Sequence, residues 1–96
     1  MTDLREGEES AAGSARRGAT AIAVLEYLAT QIVDDASSVR VDVEDGPAGL
    51  VLRLRVAPDD MGKVIGKRGR VAQSIRTLVR AAGARDGVNV IVDIVD

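Results

Sequence analysis

Gly66-Lys67-Arg68-Gly69 is the stretch whose residue types and spacing can do chemistry, and Val64 and Ile65 run straight into it. Two glycines flanking two cations make a backbone cradle for a chain of phosphates. Without side chains at Gly66 and Gly69, a ligand backbone can come close. The N–H groups that open a helix after such a loop favour anions. Lys67 and Arg68 add mobile positive charge, and Lys63 and Arg70 extend it on either side. The chemistry indicated is non-covalent binding of a polyanion.

The residues that are missing narrow the choice further. The 96-residue chain has no His, Cys, Trp or Phe, and Tyr27 is its only aromatic. Zinc sites of the usual Cys/His kind cannot form. Ser-His and Cys-His nucleophile pairs cannot form either. Aromatic platforms for base stacking are excluded. The expectation is a binding protein, not an enzyme, with no cofactor and no metal. Absence of cysteine removes disulfide chemistry and fits a cytoplasmic setting. No apolar run is long enough to span a bilayer, and no secretion pattern is present, so no membrane role is expected.

The net charge of −2 argues against a generic polyanion binder, but the charges are unevenly placed. Residues 61–82 carry Lys63, Lys67, Arg68, Arg70, Arg76 and Arg80 and no acid. Residues 34–45 carry Asp34, Asp35, Asp42, Glu44 and Asp45 against Arg40 alone. A basic stretch is commonly a solvated face. Its coincidence with the glycine loop favours function here.

The elements that must position the loop follow from the apolar pattern. Beyond Met1, residues 1–19 hold one large apolar residue, Leu4, and are expected to form a disordered tail. Residues 20–96 are expected to form one domain, close to the lower size at which a core is self-sufficient, so an oligomer is expected on stability grounds. Thr20 is a suitable N-cap for a helix over 20–33, with Ala21, Leu25, Leu28 and Ile32 on one face. Tyr27 on this helix reads as a core-edge aromatic before a base contact. Val39, Val41 and Val43 alternate with polar residues, and Leu50, Leu52, Leu54 and Val56 alternate with Val51, Arg53 and Arg55. With the turn chemistry of residues 45–49 between them, these are two strands of an antiparallel hairpin.

Pro58 suits the first turn of a short helix, and Asp59 and Asp60 suit its positive end. Neighbouring helical positions diverge, so this pair reads as helix-start chemistry and not as a metal site. A helix over 70–82 presents Val71, Ile75, Leu78, Val79 and Ala82 as its apolar face, with Gly83 as its stop. Val88, Val90, Val92 and Ile94 form a last strand that is apolar on both faces, fit to be covered or to lie at a subunit contact. The order is α-β-β-α-α-β, with the glycine loop between the last two helices. One mixed three-stranded sheet with helices on one face is the expected α+β architecture.

Mononucleotide motifs fail on this loop. For a Walker A loop, Met61 stands at the first glycine position and Arg68 replaces the Ser/Thr. For a dinucleotide fingerprint, Val64 stands at the first glycine, and a helix replaces the required strand. What remains is helix-GxxG-helix preceded by Val-Ile. In the segment Met61-Gly62-Lys63-Val64-Ile65-Gly66-Lys67-Arg68-Gly69-Arg70 and in its element order, the chain resembles the KH family of RNA-binding domains, type II arrangement. Leu25-Glu26-Tyr27-Leu28, Val56 to Gly66 and Ile75-Arg76-Thr77-Leu78 are similar to the small bacterial single-domain members.

That resemblance implies single-stranded RNA as partner, about four nucleotides held with the backbone clamped by GxxG and the bases on an apolar groove. Gly66, Lys67, Arg68 and Gly69 would hold phosphates. Val64, Ile65, Val71 and Ile75 are candidates for the groove floor, with plain core as the other reading. Gly46–Gly49 would border the groove. It further implies a homodimer, pairing with a second KH protein, and an RNA-chaperone role in cell shape and envelope upkeep. The alternative is a KH-fold protein-interaction module with weak or no RNA contact. Ser74, Thr77 and Ala81 beside Leu78 are one candidate contact strip for it.

Overall fold

The computed structural model describes residues 13–95. Helix α1 spans Ala19–Ile32, strand β1 Arg40–Gly46 and strand β2 Gly49–Arg55. Helix α2 spans Met61–Ile65, helix α3 Arg70–Arg85 and strand β3 Val90–Ile94. Short 3-10 turns at Ala36–Ser38, Pro58–Asp60 and Lys67–Gly69 join them. The fold class is the expected one: α+β, with a single mixed sheet in the order β1-β2-β3.

β1 and β2 form an antiparallel hairpin, with Val43 opposite Leu52 and Gly46 opposite Gly49. β2 and β3 are parallel, with Leu50 opposite Val90 and Leu54 opposite Ile94. Parallel strands need a long crossover connection. Here that connection carries α2, the glycine loop and α3, which hangs the loop on the central strand.

Alternation along β2 sends Leu50, Leu52 and Leu54 into the core and Val51, Arg53 and Arg55 to the opposite face. The core joins this leucine row to Ala21, Leu25 and Ala29 of α1, Ile75 and Val79 of α3, and Val90 and Val92 of β3. The other face of the sheet is charged. Arg53 pairs with Glu44 and Asp93, and Arg55 with Asp42. Both long helices therefore pack on the apolar face.

Several boundaries differ from the expected ones. The expected tail, residues 1–19, falls outside the described residues as far as residue 12. Residues 13–17 are helical, and the Ile22 N–H bonds the Gly18 carbonyl at 2.8 Å, so the helix does not begin at Thr20. No side chain caps α1. The Ser14 hydroxyl and the Arg17 guanidinium instead both bond the Asp45 carboxylate, the latter at 2.8 Å, and fasten this run to the hairpin turn.

Gly83 does not stop the third helix. The chain runs on to Arg85, and the Val88 and Gly87 N–H groups bond the Gly83 and Ala84 carbonyls in a Schellman closure. Gly83 serves a different need. A Cβ there would stand 2.5 Å from Val90 Cγ2 and 2.9 Å from the Val88 carbonyl oxygen, so this close approach of the helix end to β3 requires a glycine. Leu78, expected on the apolar face, is 52 % exposed, and Ala72 is buried instead. Asp60, at the expected helix start, is only 3 % exposed and bonds the far end of α1.

Two outcomes follow. Gly83→Ala should lose roughly 1–2 kcal/mol, because overpacking against Val90 outweighs the helix-propensity gain, and the thermal midpoint should fall by about 5–10 °C. An unchanged or raised midpoint would contradict the close approach. The Ser14 hydroxyl, and after it Arg17, hold the Asp45 carboxyl below its ordinary value. A lowered folded-state value means that the contribution is present above the unfolded carboxyl value, about 3.9, and is lost as pH falls through the folded one. Urea midpoints measured between neutral pH and acid should fall less steeply in Asp45→Asn than in the wild type.

Candidate nucleic-acid interface

The loop is built from backbone conformations that ordinary residues avoid. Gly66 has φ 73° and ψ 175°, a region that is essentially glycine-only. A Cβ there would also stand 2.8 Å from Val71 Cβ and 3.0 Å from Val71 N. Gly69 is left-handed, with φ 72° and ψ 14°, and faces open space. Arg68 is left-handed too, at φ 57°, a strained choice for a residue with a side chain. Three such residues in four make a preformed turn rather than a loose loop.

The hydrogen bonds show what this turn offers. The Gly66 N–H closes α2 on the Gly62 carbonyl at 2.9 Å, and the Gly69 N–H bonds the Gly66 carbonyl at 3.1 Å. The Lys67 and Arg68 N–H groups open the 3-10 turn and have no partner within it. They sit beneath two exposed cationic side chains, at the start of the sixteen-residue helix α3. N–H groups that open a turn, a helix N-terminus and cations together form an anion site.

The candidate residues divide by environment. Gly66, Lys67, Arg68, Gly69 and Arg70 lie together at the surface. Ile65 is 41 % exposed and is the apolar side chain that the surface offers beside them. Val64 is fully buried and Ile75 nearly so, which places both in the core. Val71 is half-buried under Gly66. Lys63 is engaged elsewhere. It pairs with Asp34, with Asp60 at 4.0 Å, and this company raises its pKa above the ordinary lysine value, Asp34 contributing most.

Sequence spacing missed the fastening behind this site. The buried Asp60 carboxylate accepts the Asp34 and Asp35 N–H groups, both at 3.1 Å. It thereby ties the end of α1 to the helix that carries the loop. An aspartate ahead of a short helix was the available signal; its partners lie some 25 residues away and no local pattern announces them. Tyr27, 64 % exposed, sits on the outer side of α1 and not at the core edge.

Arg70, Gln73, Ser74, Thr77 and Leu78 line an open depression of about 550 Å³ along the outer face of α3. Among the described residues, no group of three or more His, Cys, Asp or Glu is placed to hold a metal ion, and no helix is long and apolar enough to cross a membrane.

A β1-β2-β3 sheet with a two-glycine loop set between helices in the β2–β3 crossover defines a KH domain of the type II arrangement. The comparison with known proteins makes the assignment specific. The chain belongs to the KhpA/KhpB family of KH domains, whose sequence model matches residues 22–94. "RNA-binding protein KhpA" of Streptomyces coelicolor is 50 % identical over 72 residues, which cover 75 % of this chain and 87 % of that protein. The proteins of the same name from Caldanaerobacter subterraneus and Clostridium acetobutylicum are 46 % and 44 % identical over 72 residues, each covering 75 % of this chain and 96 % of the relative. The family is one of KH domains, not of enzymes. Among solved structures, Aquifex aeolicus Era bound to GDP and AlF4⁻ shares the fold, with a TM-score of 0.55 and 20 % identity. The match covers 97 % of this chain and 31 % of that one.

Gly66→Ala and Gly69→Ala separate the two roles of the glycines. Each acquires positive-φ backbone strain of about 1–3 kcal/mol, but only the first also strikes Val71. Chemical unfolding should show a clearly larger loss for Gly66→Ala; equal losses would contradict the packing of Gly66 on Val71.

Proposed function

We propose that the protein binds single-stranded RNA, clamping the sugar-phosphate backbone on Gly66-Lys67-Arg68-Gly69. The observation that carries this reading is the pair of N–H groups at Lys67 and Arg68 that open a preformed turn beneath two exposed cations. The relatives named RNA-binding protein KhpA support the choice of RNA. Arg70 adds a phosphate contact at the mouth of α3, and Ile65 gives an adjoining base an aliphatic surface. Lys63 joins only by exchanging Asp34 for a phosphate. With no aromatic platform, affinity is modest and sequence-tolerant, suited to an RNA chaperone or post-transcriptional regulator in the cytoplasm. In that reading it acts with a KhpB-like KH partner, in the cell-shape and envelope role implied by the family resemblance.

A second reading concerns protein contact. Leu78, exposed beside Ser74 and Thr77, gives α3 an apolar outer face with small neighbours that allow close approach. A second copy of the chain docking here makes a homodimer with two loops, and one RNA spanning both would gain by avidity. Leu78→Arg should then convert a dimer into a monomer in size-exclusion chromatography with light scattering. A wild-type monomer at all concentrations would end this reading.

The RNA reading is tested by fluorescence anisotropy on a labelled unstructured RNA of about ten nucleotides. With about three phosphates neutralised, log affinity should fall against log salt with a slope of about −2. Lys67→Asp/Arg68→Asp should abolish binding while circular dichroism stays unchanged. Equal binding by both proteins would overturn the clamp.

A further inference from the structure

The cations of this domain fall into two sets. Arg17, Arg53, Arg55 and Lys63 are each paired with an acid. Lys67, Arg68, Arg70, Arg76, Arg80 and Arg85 have no acid within pairing distance among the described residues. All six belong to the loop or to α3; Arg16 and Arg40, elsewhere in the domain, have no paired acid among the described residues either. Arg76 reaches only a backbone oxygen, that of Val92 on the outer strand, at 3.3 Å. Unpaired positive charge thus extends from the loop to the C-terminal end of α3.

The compensating charge lies in the sequence ahead of the domain. Residues 1–12 hold Asp3, Glu6, Glu8 and Glu9 against Arg5, and without them the chain would be weakly basic. The structure fixes where this segment is attached. Arg17 and Asp45 line one cavity of about 340 Å³ together with Gly87, Val88 and Asn89, so the chain enters beside the C-terminal end of α3. From there twelve residues can reach about 40 Å, whereas α3 is about 24 Å long. Arg85, Arg80 and Arg76, and beyond them Arg70 and the loop, lie within that reach.

We infer that the acidic segment 1–12 docks on the basic strip of α3 and competes there with RNA. It is tethered, so its effective concentration at the strip is in the millimolar range and it needs little intrinsic affinity. Its contacts are between exposed charges and are screened by salt. The consequence is selectivity: a long RNA that engages loop and helix together displaces the segment, and a short or weakly held one does not. This inference rests on the RNA reading for its consequence but not for the contact itself.

The test uses the full chain and the variant Glu6→Gln/Glu8→Gln/Glu9→Gln, with two readouts. Against the ten-nucleotide RNA at low salt, the variant should bind about fivefold more tightly, and the gap should close as salt is raised above the screening range. Without RNA, NMR resonances of the Arg76, Arg80 and Arg85 side chains and of the α3 amides should differ between the two proteins at low salt and coincide at high salt. Identical resonances at low salt would overturn the docking. Shifted resonances with unchanged RNA affinity, or an affinity gap indifferent to salt, would overturn the competition. If neither protein binds RNA while the arginine resonances still differ, the docking stands and the RNA reading is the one that fails.

Discussion

The leucine row of β2 is the constraint on which the rest depends. Leu50, Leu52 and Leu54 alternate with Val51, Arg53 and Arg55, so the central strand has one face that must be covered and one that is ion-paired. Because β2 is hydrogen-bonded on both edges, it cannot shift register without carrying β1 and β3 with it. A slip of one residue would send the leucines to the charged face. Both long helices therefore sit on the same side, and the crossover that joins β2 to β3 must pass over it. The glycine loop lies in that crossover, so its position follows from which face of one strand is apolar.

Rigidity at the loop comes from backbone geometry and from two fastenings. Gly66 turns the chain in a conformation that other residues do not adopt, and presses on Val71 so that α2 and α3 meet directly. Below it, Val64 is sealed in the core. Behind it, Asp60 holds the end of α1 through two backbone N–H groups. The strain at Arg68 is retained because these supports fix its neighbours. A preformed turn of this kind needs little ordering on binding, which lets few contacts suffice.

Much of this was legible in the sequence. Strand alternation at 39–56, the two-glycine signature and the element order were each local patterns, and the structure reproduces them as a hairpin, a turn and a KH arrangement. What was not legible depends on contacts between distant residues. Gly83 reads as a helix stop by its type, but Val90 in the next strand decides its use. Leu78 satisfies helical spacing, but α1 and the sheet cover only part of the helix and leave it outside. Val64 and Ile65 are adjacent and equally apolar in sequence, yet a turn of about 100° separates a buried core residue from an exposed one. Ser14 and Arg17 look like part of a polar tail until Asp45 is brought beside them.

The central claim is that the Gly66–Gly69 backbone itself grips the ligand. The most direct measurement is a ¹⁵N–¹H NMR titration of the protein with a four-nucleotide single-stranded RNA, read at the backbone amides. The account predicts that the largest shifts fall on the Lys67 and Arg68 amides and their neighbours up to Val71, with Ile65 following. Shifts concentrated on the charged face of the sheet or around Leu78, with the loop amides unmoved, would contradict it.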